Sequence, residues 1–154
     1  MLAGMLDKLQ QSETAPEVII VAIENTDRAR DLTPTVNQDP RGPVSVGGGG
    51  GGDDFLDFIE FELMPHIDKK YRTHDFKIFS GSSIGGLLVI HAMQSRPHLF
   101  QAHMAFSPAV WWGDHTTANN TKKFMTSVKS FNNYLYMNIG EESGFMREIY
   151  DDFH

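Results

Sequence analysis

The sequence predicts an α/β fold, a mostly parallel sheet with flanking helices, and three observations carry that expectation. Val18 to Ile23 is an unbroken, largely β-branched apolar run. Such a run marks a strand buried on both faces, as parallel sheets require. Strand-like and helix-like stretches then alternate along the chain, which places helices against the sheet. Near the middle, Phe76-Lys77-Ile78-Phe79-Ser80 runs into Gly81-Ser82-Ser83-Ile84-Gly85-Gly86 and on into an apolar helical stretch. That is a strand, a G-x-S-x-G turn and a helix in immediate succession.

Taken in order, Met1 to Gln11 sets Leu2, Met5, Leu6 and Leu9 at helical spacing, and Ser12 to Pro16 breaks the pattern before strand 18–23. Residues 24–52 hold prolines at 34, 40 and 43, many polar residues and six consecutive glycines, Gly47 to Gly52. They read as a long loop, with 34–52 a flexible Pro/Gly-rich stretch. The glycines do not read as a phosphate cradle, because no Gly-Lys-Ser/Thr follows and Asp53 and Asp54 would repel an anion. Those aspartates suit a helix start, and Phe55, Ile59, Leu63 and Ile67 form an i, i+4 stripe toward Tyr71. Pro65 is expected to kink or restart this helix. Leu87, Leu88, Ile90, His91 and Met93 describe a buried helix that Ser95-Arg96-Pro97 ends, with His91 on its core or its face. Further strands are expected at about Ala102 to Phe106 and Tyr134 to Ile139, and a helix from Phe145 to Phe153. The strand ends at Glu24-Asn25, Ser82-Ser83, Ser107-Pro108 and Gly140 to Glu142 would then share one edge of the sheet, where such folds place their sites.

The elbow makes Ser83 the candidate nucleophile, against the plainer reading of a Gly/Ser-rich turn. Gly81 and Gly85 suit the crowding of strand against helix, and Gly85 and Gly86 the approach of that helix to the sheet. The backbone N–H of Ile84, one residue on, is the candidate oxyanion donor. A carboxylate just past a later strand would orient a base, which selects Glu142, with Glu141 beside it as the alternative. The candidate base is the weak link. Of the seven histidines only His154 follows Glu142, and it stands at the end of a helix-like stretch. Around the site, Asn25, Arg28 and Arg30 open the long loop and Trp111 and Trp112 follow Ser107-Pro108. They are the substrate-binding candidates, the arginines for an anionic oxygen and the indoles for an acyl or aryl wall. The arginines equally suit pinning the loop through Asp27 and Asp31, and one indole suits plain core.

Val18 to Asn25, Arg28 to Pro34, Glu62 to Arg72, the elbow, and Phe106-Ser-Pro-Ala-Val-Trp-Trp112 together resemble the esterase family of α/β-hydrolases that includes the enterobactin-type siderophore esterases. The resemblance covers nearly the whole chain. It implies an α/β-hydrolase fold truncated at both ends, 1–154 forming a single partial domain. It implies a serine esterase that cleaves a small-molecule ester or lactone through an acyl-enzyme on Ser83. It also places the second oxyanion donor on a strand ahead of Met1 and the catalytic histidine in a His-Gly loop beyond this point, so the chain as given is expected to turn over little or no ester. The alternative is a non-catalytic binding or interaction fragment that keeps the sheet without the full site.

Net charge of −7 argues against a nucleic-acid or anionic-membrane partner. The one basic cluster, Lys69-Lys70-Tyr71-Arg72, suits the carboxyl end of a helix. With no cysteine and no H-x-x-x-H pair, no metal site or other cofactor is expected. Asp7 and Lys8 interrupt the first apolar stretch and no run reaches membrane-spanning length, so a soluble protein of the cytoplasm or periplasm is expected. Oligomeric state is not legible.

Overall fold

The computed structural model describes residues 16–38, 40 and 45–153, together with Gly4, Lys8, Gln11 and Ser12. The expected first helix, with Leu2, Met5, Leu6 and Leu9, and the candidate base His154 lie outside the described residues. Three parallel strands, β1 (Ile78–Ser82), β2 (Ala102–Phe106) and β3 (Tyr134–Asn138), pair in the order β1-β2-β3. Their register sets Ala102 between Ile78 and Tyr134, and Phe106 between Ser82 and Asn138. Ahead of the sheet come α1 (Arg28–Leu32), α2 (Gly52–Phe58), a π-helical turn (Ile59–Leu63) and α3 (Met64–Lys70). The crossovers are α4 (Ile84–Ser95) and α5 (Trp112–Ser127), and α6 (Phe145–Phe153) closes the order.

The helical run 52–70 starts at Gly51 with Asp53 and Asp54 in its first turn, where their charge meets the helix dipole favourably. Pro65 lies at the start of α3 and follows the π turn. Proline cannot donate to the carbonyl a turn back, and the widened turn carries the chain through without a break. Of the expected stripe, Ile59 is buried and Phe55 and Leu63 pack at its margin, but the fully buried residue is Leu56, against Leu88, Ala92, Leu99 and Phe100.

All the described core lies on one face of the sheet. Phe79, Ala105 and Met137 meet α4 and α6 through Val89, Ile90, Ile149 and Phe153. The other face carries Ile78 (53% exposed), Tyr134 (70%) and Tyr136 (51%). Phe76 and Phe106 lie against the tyrosine rings, with centroids 6.4 and 5.7 Å apart. The strand expected at 18–23 is corrected here: the segment joins no sheet among the described residues, and Val18, Ile19, Ile20 and Val21 are each more than 40% exposed. Its β-branched residues suit a buried strand, but no described strand lies beside it.

The glycine run also departs from the flexible stretch expected there. Asn37 N–H donates to Gly48 O, Gly47 N–H to Asn37 O, Gly51 N–H to Arg30 O and Gly52 N–H to Thr33 O, all within 2.8–2.9 Å. Val36 and Gly49 form an antiparallel bridge, and Thr33 and Asn37 are fully buried. A side chain at Gly49 would strike Thr33 Oγ1 and come within 2.8 Å of Trp112 Cζ2, at a φ of +101°. Gly49 is thus glycine where the backbone passes close to Thr33 and the Trp112 indole.

Candidate functional site

Ser83 sits between β1 and α4 with φ +60° and ψ −121°, a conformation L residues rarely adopt, and its side chain is exposed. Such strain persists only where neighbours overdetermine it. Here Ser83 N–H donates to Phe106 O (3.0 Å), while Ser83 O accepts from Leu87 N–H (3.0 Å) and Ala109 N–H (3.1 Å). The elbow is thus tied to β2's exit as well as to its own helix. Ile84, whose N–H is the candidate oxyanion donor, has its side chain in the core (4% exposed), so the backbone position is fixed by packing.

The glycines divide differently from the sequence reading. A Cβ on Gly81 would collide with the carbonyl group of Gly85 and reach Gly86 N at 3.0 Å. One on Gly86 would press Pro108 Cα at 3.1 Å and Phe106 O at 3.2 Å. One on Gly85 meets only Leu32 Cδ1, at 3.9 Å. The expected crowding is therefore real at Gly81 and Gly86, and Gly85 contributes its backbone.

Beside the elbow, Ser107 closes β2 with φ +41°. Its N–H donates to Asn138 O (2.9 Å) and its Oγ accepts from Gly140 N–H (3.2 Å). The Glu142 carboxylate folds back over Gly140 in the loop leaving β3, and its Oε2 is shielded from solvent without a hydrogen-bond donor among the described residues. The Ser107 hydroxyl, then the backbone N–H groups of Glu142 and Gly140 and the charge of Arg147, hold this carboxyl below the usual carboxylate range. Glu141 is exposed.

The substrate-binding candidates separate. Asp27 caps α1 by accepting from Arg30 N–H (3.0 Å). Arg30 pairs with Asp31 at 2.7 Å, which raises its pKa, and Asn25 donates to Asp31 (3.3 Å). Arg28 alone reaches the elbow, its guanidinium donating to Ser82 O (3.2 Å). Two residues apart on a helix, Arg28 and Arg30 point in nearly opposite directions. Trp111 (4% exposed) and Trp112 (0%) are both core, packed with Ile84, Leu87 and Ala109, and the Trp112 indole N–H donates to Thr35 O (2.6 Å). The open aromatic wall expected of them is corrected by that burial.

Among the other histidines, His91 meets Asp53 at 2.7 Å and His98 meets Glu60 at 3.0 Å. His103, in the middle of β2, is fully buried, and burial, only partly opposed by the Tyr134 backbone, lowers its pKa from 6.5 to about 4. Sequence reasoning placed Ser107 at the site edge without giving it a role, and gave His103 none. The signal for Ser107 was its place at a strand's carboxyl end. No helix among the described residues is long and apolar enough to cross a membrane.

The family model described as Putative esterase matches residues 2–150. The siderophore triacetylfusarinine C esterase of Aspergillus fumigatus is 36% identical over 104 residues, 66% of this chain and 34% of that protein. The siderophore enterobactin esterase of Emericella nidulans is 30% identical over 138 residues, 78% of this chain and 44% of that protein. An IroE-like serine hydrolase from Shewanella oneidensis superimposes with a TM-score of 0.86 at 28% identity, covering 99% of this chain and 54% of that one. The chain thus spans between about a third and about half of the length of these relatives. The chain belongs to the Putative esterase family and carries part of its α/β-hydrolase fold.

Proposed function

We propose that the chain is the nucleophile-bearing part of a serine hydrolase that cleaves carboxylic esters or lactones of a siderophore. The observation that carries this reading is Ser83, exposed and held at φ +60° on the turn between β1 and α4. Its Oγ attacks the ester carbonyl carbon and passes its proton to a base. The oxyanion formed accepts a hydrogen bond from Ile84 N–H, and the alcohol leaves with a proton as the acyl-Ser83 ester forms. Water then adds to that ester and releases the acid and Ser83. Glu142, whose shielded Oε2 lacks a donor, would take the N–H of the base and hold its ring in place. No described histidine is hydrogen-bonded to Ser83, so the base is proposed to come from outside the described residues. Arg28 at the elbow is the group proposed to meet an anionic substrate oxygen. The siderophore class rests on the names of the relatives.

A fluorophosphonate probe tests the nucleophile: in a version extended at both ends, labelling is expected at Ser83 and is abolished in Ser83→Ala. Labelling at Ser82 or Ser107 would overturn the assignment. Hydrolysis of p-nitrophenyl butyrate by residues 1–154, beside a version extended at both ends, tests the base. Equal turnover would place the base within this chain, with His154 the first candidate, and refute the expectation that the chain lacks it.

A further inference from the structure

We propose that Ser107 is a positioning residue, fixing the Glu142 loop against the nucleophile elbow by spending backbone strain at the end of β2. The inference rests on the reading of Glu142 as the orienting acid, and its geometry is independent of catalysis. Ser83 and Ser107 both have positive φ, and they stand at the carboxyl ends of neighbouring strands. The four residues Phe106 to Ala109 connect them to everything nearby. Phe106 O takes the Ser83 N–H, Ala109 N–H returns to Ser83 O, and Pro108 lies under Gly86. On the other side Ser107 N–H binds Asn138 O, and Ser107 Oγ takes the Gly140 N–H at 3.2 Å.

A φ of +41° costs a serine about 1 kcal/mol or more that a glycine would not lose. At Ser107 the bonds to Asn138 and Gly140 offset that cost, and the hydroxyl faces the loop carrying Glu142. The same hydroxyl is the largest influence favouring ionised Glu142, ahead of Arg147 on α6. Ser107 thus holds both the place and the charge of the carboxylate whose Oε2 awaits a donor.

The test is carbon-detected NMR titration of the Glu142 carboxyl in residues 1–154, for the wild type, Ser107→Ala and Ser107→Gly. Ser107→Gly relieves the strain and keeps the fold even if Ser107→Ala does not. Expected in Ser107→Gly is a Glu142 pKa raised toward the ordinary carboxylate range and an upfield-shifted Gly140 amide proton, with the amides of β1 and β2 unmoved and the melting temperature kept or raised. If Glu142 and Gly140 stay at their wild-type positions in Ser107→Gly, Ser107 merely makes the turn and the proposal falls. Absence of Ser83 labelling in the version extended at both ends, with the Glu142 shift intact in residues 1–154, would overturn the esterase reading alone.

Discussion

Alanine substitutions at the three elbow glycines should differ in sign, and the structure supplies the reason. At Gly81 the new Cβ lands on the Gly85 carbonyl group, and no flexible side chain is there to yield. The backbone of β1 or α4 must shift, a cost of about 1–3 kcal/mol for overpacking, and the shift displaces Ser83 itself. At Gly85 the nearest atom is a leucine methyl at 3.9 Å, so the methyl enters open space. Alanine there should gain about 0.5–1 kcal/mol from its better helix propensity. Gly86 lies between, with Pro108 Cα at 3.1 Å and Phe106 O at 3.2 Å opposing a similar propensity gain. For a chain of this size about 1 kcal/mol moves the melting temperature by roughly 2–4 °C. Thermal and urea melting of residues 1–154, followed through the buried indoles, should therefore show Gly81→Ala several degrees below wild type and Gly85→Ala slightly above it. In the version extended at both ends, Ser83 labelling should fall only in Gly81→Ala. A Gly85→Ala variant less stable than Gly81→Ala would refute the reasoning.

His103 makes stability depend on pH. Its folded pKa, about 4, lies below the 6.5 of the exposed ring, so the unfolded chain takes up the proton first as pH falls. Its contribution is complete above about pH 6.5, declines as pH drops, and is exhausted below about pH 4, an upper bound on the order of 3 kcal/mol. Urea titrations from pH 7 to 4 should flatten in His103→Leu; an unchanged slope would acquit the ring. Gly49→Ala should cost about 2–4 kcal/mol through strain and the collision with Thr33 and Trp112, whereas Gly47→Ala, with nothing within 4 Å, should cost only about 1 kcal/mol of strain. Equal urea midpoints would mean that the run is an unpacked linker. Tyr136→Glu on the open sheet face should reduce both dye binding by apolar surface and self-association in size-exclusion light scattering. Unaltered binding and mass would show that this face is not what adheres.

The elements legible in the sequence are those whose signal is local. The elbow, α4 with its solid run of buried aliphatics, β2 at Ala102–Phe106 and α6 at Phe145–Phe153 each declare themselves through a few adjacent residues. Two elements did not. The short α1 hides in a loop-like composition and depends on the Asp27 cap. The longer α5 is written in threonines, asparagines and glycine, buries Thr117, Ala118 and Thr121, and carries three left-handed residues, Gly113 to His115, so no apolar period marks it. Tertiary structure also decided what pairing and proximity decide. Val18 to Ile23 has a strand's composition, but pairing needs a neighbour, and none is described. The glycine run reads as a linker because the groups that crowd it, Arg30, Thr33 and Val36 for Gly49 to Gly52 and Trp112 for Gly49, are brought to it only by the fold. Ser83 was readable because its turn is encoded by its own neighbours. The tie from Ser107 to Gly140 and Glu142 was not, because it exists only once β2 and β3 lie side by side.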